Sequence, residues 1–314
     1  MRTVLAGATG AIGRHLVPQL LAAGHSVVGL TRCAHGATQL AAAGAEAVRT
    51  DVLDGEGLLR ALAGRRADAV IHQATAIEGV PLRHRDLHAT DRLRDRGTTN
   101  LLRAAELVGA HRFLTQSFFL GYGYRDHGDA SITEDTAFAE PTGHRAFDRH
   151  MDSMRSNEHQ ALNTAGIDGI ALRYGMFYGP EPATRRLATL VARRRLPVPH
   201  PSGTTSLIHI HDAASATVAA LERGHAGEAY NIVDDQPVDF GAYVAAIADH
   251  VHAPAPPTIP GWLLTPVPYM HALMVATRIS LSNAKAKREL DWTPHYPSYR
   301  DGLGALRFDD SERR

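Results

Sequence analysis

The 314-residue chain sets 33 Lys+Arg against 33 Asp+Glu, so no net field draws it to nucleic acid or a membrane surface. That length suffices for one large or two modest domains with a sizeable buried core. A single cysteine, Cys33, excludes a disulfide framework and suits a reducing cytoplasm.

Thr3–Ala6 reads as a buried first strand rather than a secretion signal, because a glycine-rich turn and a periodic helix, about Ala11–Ala23, follow it. Further strands are expected at Ser26–Thr31, Ala47–Thr50 and Ala69–Ala74. A long helix from about Asp86 to Val108 places Leu87, Leu93, Leu101, Leu102 and Ala105 for one buried face. Strand Arg112–Gln116, a helix over about Phe147–Thr164 and strand Gly169–Arg173 come next. Strands separated by helices predict a doubly wound parallel α/β sheet with helices on both faces. Beyond Arg173, prolines 180, 182, 197, 199 and 201 mark loops. Strand Ser206–Ile210, helix Asp212–Leu221 and strand Glu228–Val233 then restore regular structure. The proline-rich C-terminal third reads as a small lobe closing over a substrate. Its apolar stretch Gly261–Leu281 is broken by Pro266, Pro268, His271 and Arg278, which suits a lobe helix and not a membrane span.

Residues 7–13 read Gly-Ala-Thr-Gly-Ala-Ile-Gly, between the first strand and the first helix. Glycines there let the backbone turn sharply and approach a pyrophosphate, whose charge sits at the helix N-terminus. Gly7, Thr9, Gly10, Ala11, Ile12 and Gly13 are therefore the expected cradle of a dinucleotide. The second strand ends Gly29-Leu30-Thr31-Arg32, with no acid until Glu46. The carboxylate that holds the ribose hydroxyls of NAD is missing, and Arg32 stands where a guanidinium pairs with a 2′-phosphate, so NADP(H) is the expected cofactor. Asp51 and Val52 follow the third strand, where a short acid accepts from the adenine amino group; alternatively Asp51 or Asp54 caps the next helix. Ala74 and Thr75 leave room for the cofactor's run toward the nicotinamide.

Further motifs run the length of the chain. They are His72-Gln73-Ala74, Asn100 in Gly97-Thr98-Thr99-Asn100-Leu101-Leu102, and Arg173-Tyr174 leading to Phe177-Tyr178-Gly179-Pro180. Ile208-His209-Ile210-His211-Asp212, Tyr230-Asn231-Ile232 and Ser282-Asn283-Ala284-Lys285 ahead of Glu289-Leu290-Asp291-Trp292 extend them. In combination the chain resembles the extended short-chain dehydrogenase/reductase superfamily, in its epimerase/dehydratase-like branch. The resemblance implies a Rossmann-type doubly wound parallel sheet over residues 1–175, with 207–235 returning to it. It further implies a smaller C-terminal α/β substrate lobe built from residues 176–206 and 236–314. It places a bound NAD(P) near Asn100, with Gly175, Met176 and Phe177 along the nicotinamide. It also implies that His209, His211 and Asp212, spaced like metal ligands, hold no metal. Members pair through two long helices, here Asp86–Val108 and Phe147–Thr164, so a homodimer or a monomer is expected.

The resemblance breaks at the chemistry. Members use Ser or Thr with a Tyr-x-x-x-Lys pair, in which tyrosine exchanges the proton and lysine lowers its pKa and holds the ribose. The fifth strand leads to Ser117, well placed to bind a carbonyl. The helix that should carry the pair reads His150-Met151-Asp152-Ser153-Met154, and anchoring on Glu158 puts His150 at the tyrosine position and Met154 at the lysine position. No tyrosine occurs between Tyr124 and Tyr174, and the only lysines are Lys285 and Lys287. His150 is either a proton donor or an exposed surface histidine. Tyr122 and Tyr124, in the loop expected along the cleft rim, are donors or packing residues. A substrate phenol ortho to the carbonyl, or a water, would also serve.

Trp262, Leu263, Leu264, Tyr269, Met270, Leu273 and Met274 line a broad apolar pocket or simply pack a core. Arg185, Arg186 and Arg193–Arg195 either meet a diphosphate or form a solvated helix face. The expected function is an NADPH-dependent ketoreductase acting on a polycyclic aromatic ketone, similar to atypical ketoreductases of actinomycete polyketide pathways. The alternatives are a nucleotide-sugar epimerase or dehydratase and a non-catalytic NADP(H)-sensing regulator.

Overall fold

The computed structural model describes residues 1–77, 81 and 83–307, so the last seven residues of the expected lobe lie outside the described part. Eleven strands are labelled: β1 (Arg2–Ala6), β2 (Ser26–Thr31), β3 (Glu46–Arg49), β4 (Ala69–His72), β5 (Arg112–Phe118), β6 (Asp168–Tyr174), β7 (Met176–Tyr178), β8 (Val198–His200), β9 (Thr204–Thr205), β10 (Leu207–His209) and β11 (Glu228–Ile232). Seven form one sheet in the order β11-β6-β5-β4-β1-β2-β3, with every neighbour parallel. The helices are α1 (Gly13–Ala22), α2 (Ala34–Ala42), α3 (Gly55–Leu62), α4 (His88–Arg92), α5 (Thr98–Val108), α6 (Arg145–Asn163), α7 (Pro182–Ala192), α8 (Ile210–Arg223) and α9 (Phe240–His250).

Successive strand residues point to opposite faces, and each face buries its own core. Leu5, Leu114 and Ile170 pack with Leu16 and Leu20 of α1 and Ala213 and Ala220 of α8. Val4, Val70 and Phe113 pack on the other side with Leu58 of α3 and Leu101 and Ala105 of α5. A third cluster joins α7, α9 and β10 through Val191, Ile247 and Leu207. The strand order reverses beside β1, which opens a crevice at the carboxyl ends of the strands.

Two glycines hold β1 and α1 at that crevice. Gly7 has φ +85, and a Cβ on it would lie 2.5 Å from the Gln73 backbone; one on Gly13 would lie 2.2 Å from the Gly7 carbonyl oxygen.

The expected single helix from Asp86 to Val108 is in fact four pieces. A 3-10 turn (His84–Leu87) leads into α4, and a π-turn (Leu93–Gly97) separates α4 from α5. The hydroxyls of Thr98 and Thr99 donate to the carbonyls of Arg94 and Asp95 at 2.6 and 3.2 Å, stabilising the widened turn. Trp262 and Leu263 are 69% and 45% exposed, so they do not pack a core; Tyr269 and Met274 are buried. No helix of the described residues is long and apolar enough to cross a membrane.

Candidate active site

At the crevice, Gly10 and Ala11 are exposed, while Ile12 and Gly13 are buried beneath them. The Gly10 amide donates to the Gly7 carbonyl at 2.9 Å, closing the turn, and no side chain caps α1. This cradle leaves backbone open where a pyrophosphate approaches and tolerates no side chain at Gly7 or Gly13, so the residues fit a dinucleotide. Arg32 is exposed one residue past β2. Asp51 accepts from the Leu53 amide at 2.9 Å, whereas Asp54 caps α3 through the Gly57 amide, which settles which aspartate is the cap. Asn100 donates to the Val52 carbonyl at 2.8 Å and so ties α5 to the loop after β3.

His72 fixes the loop after β4. Burial pushes its pKa down to about 4, so its ring is neutral at pH 7. With Nε2 3.1 Å from the Leu93 carbonyl and the Ala74 amide donating to Nδ1 at 3.3 Å, the proton sits on Nε2. One ring thereby links Ala74 to the π-turn; Thr75 beyond it is exposed. On the far side, Gly175 donates to the Ile232 carbonyl, and Met176 and Phe177 are half-buried on β7.

Apart from Tyr124, the candidate catalytic residues lie on β5, the π-turn with α4 before it, and α6. His150 is 3% exposed, which overturns the surface-histidine expectation. Its Nδ1 lies 2.8 Å from Asp91 Oδ1, and the Ser153 hydroxyl donates to the same oxygen at 3.1 Å. Burial first, and then the Arg94 charge, hold His150 below the ordinary imidazole range despite Asp91. The neutral ring therefore keeps its proton on Nδ1, donates it in a hydrogen bond to Asp91, and leaves a lone pair on Nε2. Met154, one turn on, is fully buried, so no cation stands at the lysine position. Asn157, also on α6, donates to Thr98 Oγ1 and Thr115 Oγ1, both at 2.8 Å.

Ser117 is 1% exposed on the face of β5 that Thr115 shares, and its hydroxyl has no hydrogen-bond partner among the described residues. Tyr124 packs with its ring centroid 6.4 Å from that of His150 and 6.2 Å from that of Tyr269. Burial, and then the neighbouring Tyr269, raise the Tyr124 hydroxyl well above the ordinary phenol range. Ser117 therefore comes from the same β5–α6 layer as His150, and Tyr124 sits beside that histidine.

Tyr122 does not lie on a cleft rim. It is fully buried, donates to Asn231 Oδ1 at 2.9 Å and accepts from Arg173 at 2.8 Å. His209 caps α8 by accepting from the His211 amide, and its ring packs 4.2 Å from that of Tyr296. Asp212 is fully buried and accepts from the Tyr296 amide, so these residues serve the fold. Among the described residues no group of three or more His, Cys, Asp or Glu could hold a metal. Arg186 and Arg193–Arg195 are exposed on and just past α7.

Sequence reasoning missed Asp91 and Arg94. A signal for them existed: Leu87, Asp91, Arg94, Thr98, Leu101, Ala105 and Val108 recur every three or four residues, and all are buried. Two charges on such a stripe mark a polar site inside a helix packing face.

Comparison with known proteins agrees with this architecture. The NAD dependent epimerase/dehydratase family matches residues 3–233. A Streptomyces protein named 3-diazoavenalumate denitrifying reductase is 34% identical, over 97% of this chain and 99% of its own. A 4-hydroxy-2-methyl-3-oxo-4-farnesyl-3,4-dihydroquinoline-1-oxide ketoreductase from Stigmatella aurantiaca is 23% identical, over 98% and 96%. The solved structure of Thermus thermophilus UDP-glucose 4-epimerase with NAD superposes with a TM-score of 0.75 at 24% identity, covering 98% of this chain and 100% of that one.

Proposed function

The chain belongs to the NAD dependent epimerase/dehydratase family and is an NAD(P)-dependent oxidoreductase; on that footing we propose a ketoreductase acting on a polycyclic aromatic, polyketide-type ketone. Its site lies between residues 1–175 with 207–235 and the lobe of 176–206 with 236–314. The glycine turn, Asp51, Val52, Ala74, Thr75 and Asn100 would hold the dinucleotide, Arg32 a 2′-phosphate, and Gly175, Met176 and Phe177 the nicotinamide. Reduced and bound there, NADP(H) supplies hydride.

The observation that carries this reading is a buried His150 held against Asp91 at 2.8 Å, beside a buried Met154. Ser117 Oγ, buried and unpartnered, holds the carbonyl oxygen. An alcohol product also needs a proton. His150 presents a lone pair, not a proton, and Tyr124 is held protonated with no lysine to make it a better acid. The proton then comes from the substrate, through a phenol ortho to the ketone, while His150 Nε2 accepts a hydrogen bond from a substrate hydroxyl and orients the ring.

One observation favours a second reading: the 34% identical relative is named a denitrifying reductase of a diazo compound. Replacing dinitrogen at an aromatic carbon leaves no alkoxide to protonate, so it also suits a site without the Tyr–Lys pair.

The test follows nicotinamide absorbance with an ortho-hydroxyaryl ketone and its O-methyl ether. Oxidation of NADPH with the free phenol, and a rate at least about tenfold lower with the ether, is the expected result. Equal rates on both, abolished in His150→Phe, would place the donor in the protein. Dinitrogen release from an aromatic diazo compound, with neither ketone consumed, would move the assignment to the second reading.

A further inference from the structure

Arg94 is the anomaly of this site. Its side chain comes off the π-turn and is 4% exposed. A guanidinium carries five N–H donors and cannot shed its charge in a protein. Among the described residues its side chain has one hydrogen-bond contact, at 3.4 Å to His150 Nδ1, a nitrogen already committed to Asp91. Asp91 Oδ1 is taken by His150 and Ser153, and Arg149 Nε lies 3.9 Å from Oδ2. Among the described residues Arg94 forms no ion pair within 4 Å.

Buried charges are paired or hydrogen-bonded, because an unpaired one costs several kcal/mol. The same protein shows the ordinary solution at Arg173, which grips Glu158 with two nitrogens at 2.8 and 3.0 Å. Arg94 lacks that solution and sits beside His150, the histidine at the tyrosine position. Its neighbourhood is aromatic: Tyr124 stacks edge-on against Phe147 at 4.9 Å and against Tyr269 at 6.2 Å. Both tyrosines lie close enough to Arg94 to feel its charge.

We infer that the missing counter-ion arrives with the substrate: Arg94 is the anchor for a carboxylate borne by an aromatic molecule, paired through the planar fork a guanidinium offers. This rests on the reductase reading for what happens next, and on geometry alone for the binding. A carboxylate held at Arg94 fixes one end of the ring system, with His150 Nε2 available to a hydroxyl nearby. The substrate class narrows to aromatic acids that carry a phenol.

The experiment is calorimetric binding of 4-hydroxycinnamate and its methyl ester to the NADP+-loaded protein. Wild type, Arg94→Gln and Arg94→Lys are compared. Wild type should bind the acid at least about tenfold more tightly than the ester. Arg94→Gln should erase that gap without changing affinity for the ester or NADP+, and Arg94→Lys should restore part of it. Equal affinities in wild type, no binding of either compound, or a gap that survives in Arg94→Gln overturns the assignment. So does a fall in NADP+ affinity with the gap intact, which would make Arg94 a cofactor residue. If Arg94→Gln does not fold, the wild-type gap and its shrinkage in Arg94→Lys decide. The readout needs no turnover. Acid preference with no ketone reduced leaves the anchor standing and removes the ketoreductase; reduction of neutral ketones with no acid preference does the reverse.

Discussion

Arg173 at the end of β6 and Arg94 in the π-turn are both withdrawn from water, yet only one is neutralised. Around Arg173 every group has a use. Glu158 accepts from two of its nitrogens, the Tyr122 hydroxyl accepts a further bond at 2.8 Å, and that hydroxyl in turn donates to Asn231 Oδ1. Burial works against the Arg173 charge, but Glu158 outweighs it and holds the group above its ordinary range. Around Arg94 burial prevails over the opposing Asp91 charge and holds the group below its ordinary range. A satisfied buried cation steadies the fold, whereas an unsatisfied one costs it stability unless something else supplies the missing charge.

Removing Glu158 should separate the two regions most. Glu158→Ala strands Arg173 without its counter-ion, and urea unfolding should show a loss of about 3–5 kcal/mol. A loss below about 1 kcal/mol would erase the contrast. Arg94→Met should leave the ligand-free protein as stable as before, or up to about 1 kcal/mol more stable, since an apolar chain of similar reach replaces an unpaired charge. A drop as large as that of Glu158→Ala would instead make Arg94 a structural residue. The smallest effect is expected at the exposed Arg32. Arg32→Ala should move stability by less than about 0.5 kcal/mol while lowering the preference for NADPH over NADH about tenfold, read from the two Michaelis constants. An unchanged preference would remove the 2′-phosphate from Arg32.

The glycine turn at the crevice was legible in the sequence because its causes are local. The turn over residues 7–13 needs glycine for reasons contained within it, and Ser26–Thr31 forms a strand over the span its composition predicts. The loss at Met154 was legible by composition, since only Lys285 and Lys287 exist to fill the role. The interior of the catalytic end was not. His150 lies in a polar helix that reads as solvated, and it is buried because Asp91, 59 residues earlier, reaches it from the π-turn side. That turn in turn depends on two threonine hydroxyls capturing carbonyls, which hydrophobic periodicity does not register. Tyr269 arrives from still farther along the chain, so its contact with Tyr124 belongs to tertiary structure alone.

Asn157 has a mechanical consequence. One side-chain amide joins Thr98, whose hydroxyl also grips the Arg94 carbonyl, to Thr115 on β5. The strand bearing Ser117, the helix bearing His150 and the turn bearing Arg94 are thus laced into one cooperative block that opens together or stays shut. Tyr269, carried on the short helix Pro268–His271, meets Tyr124 from outside that lacing, through a ring contact and, among the described residues, with no hydrogen bond to Thr98, Thr115 or Asn157.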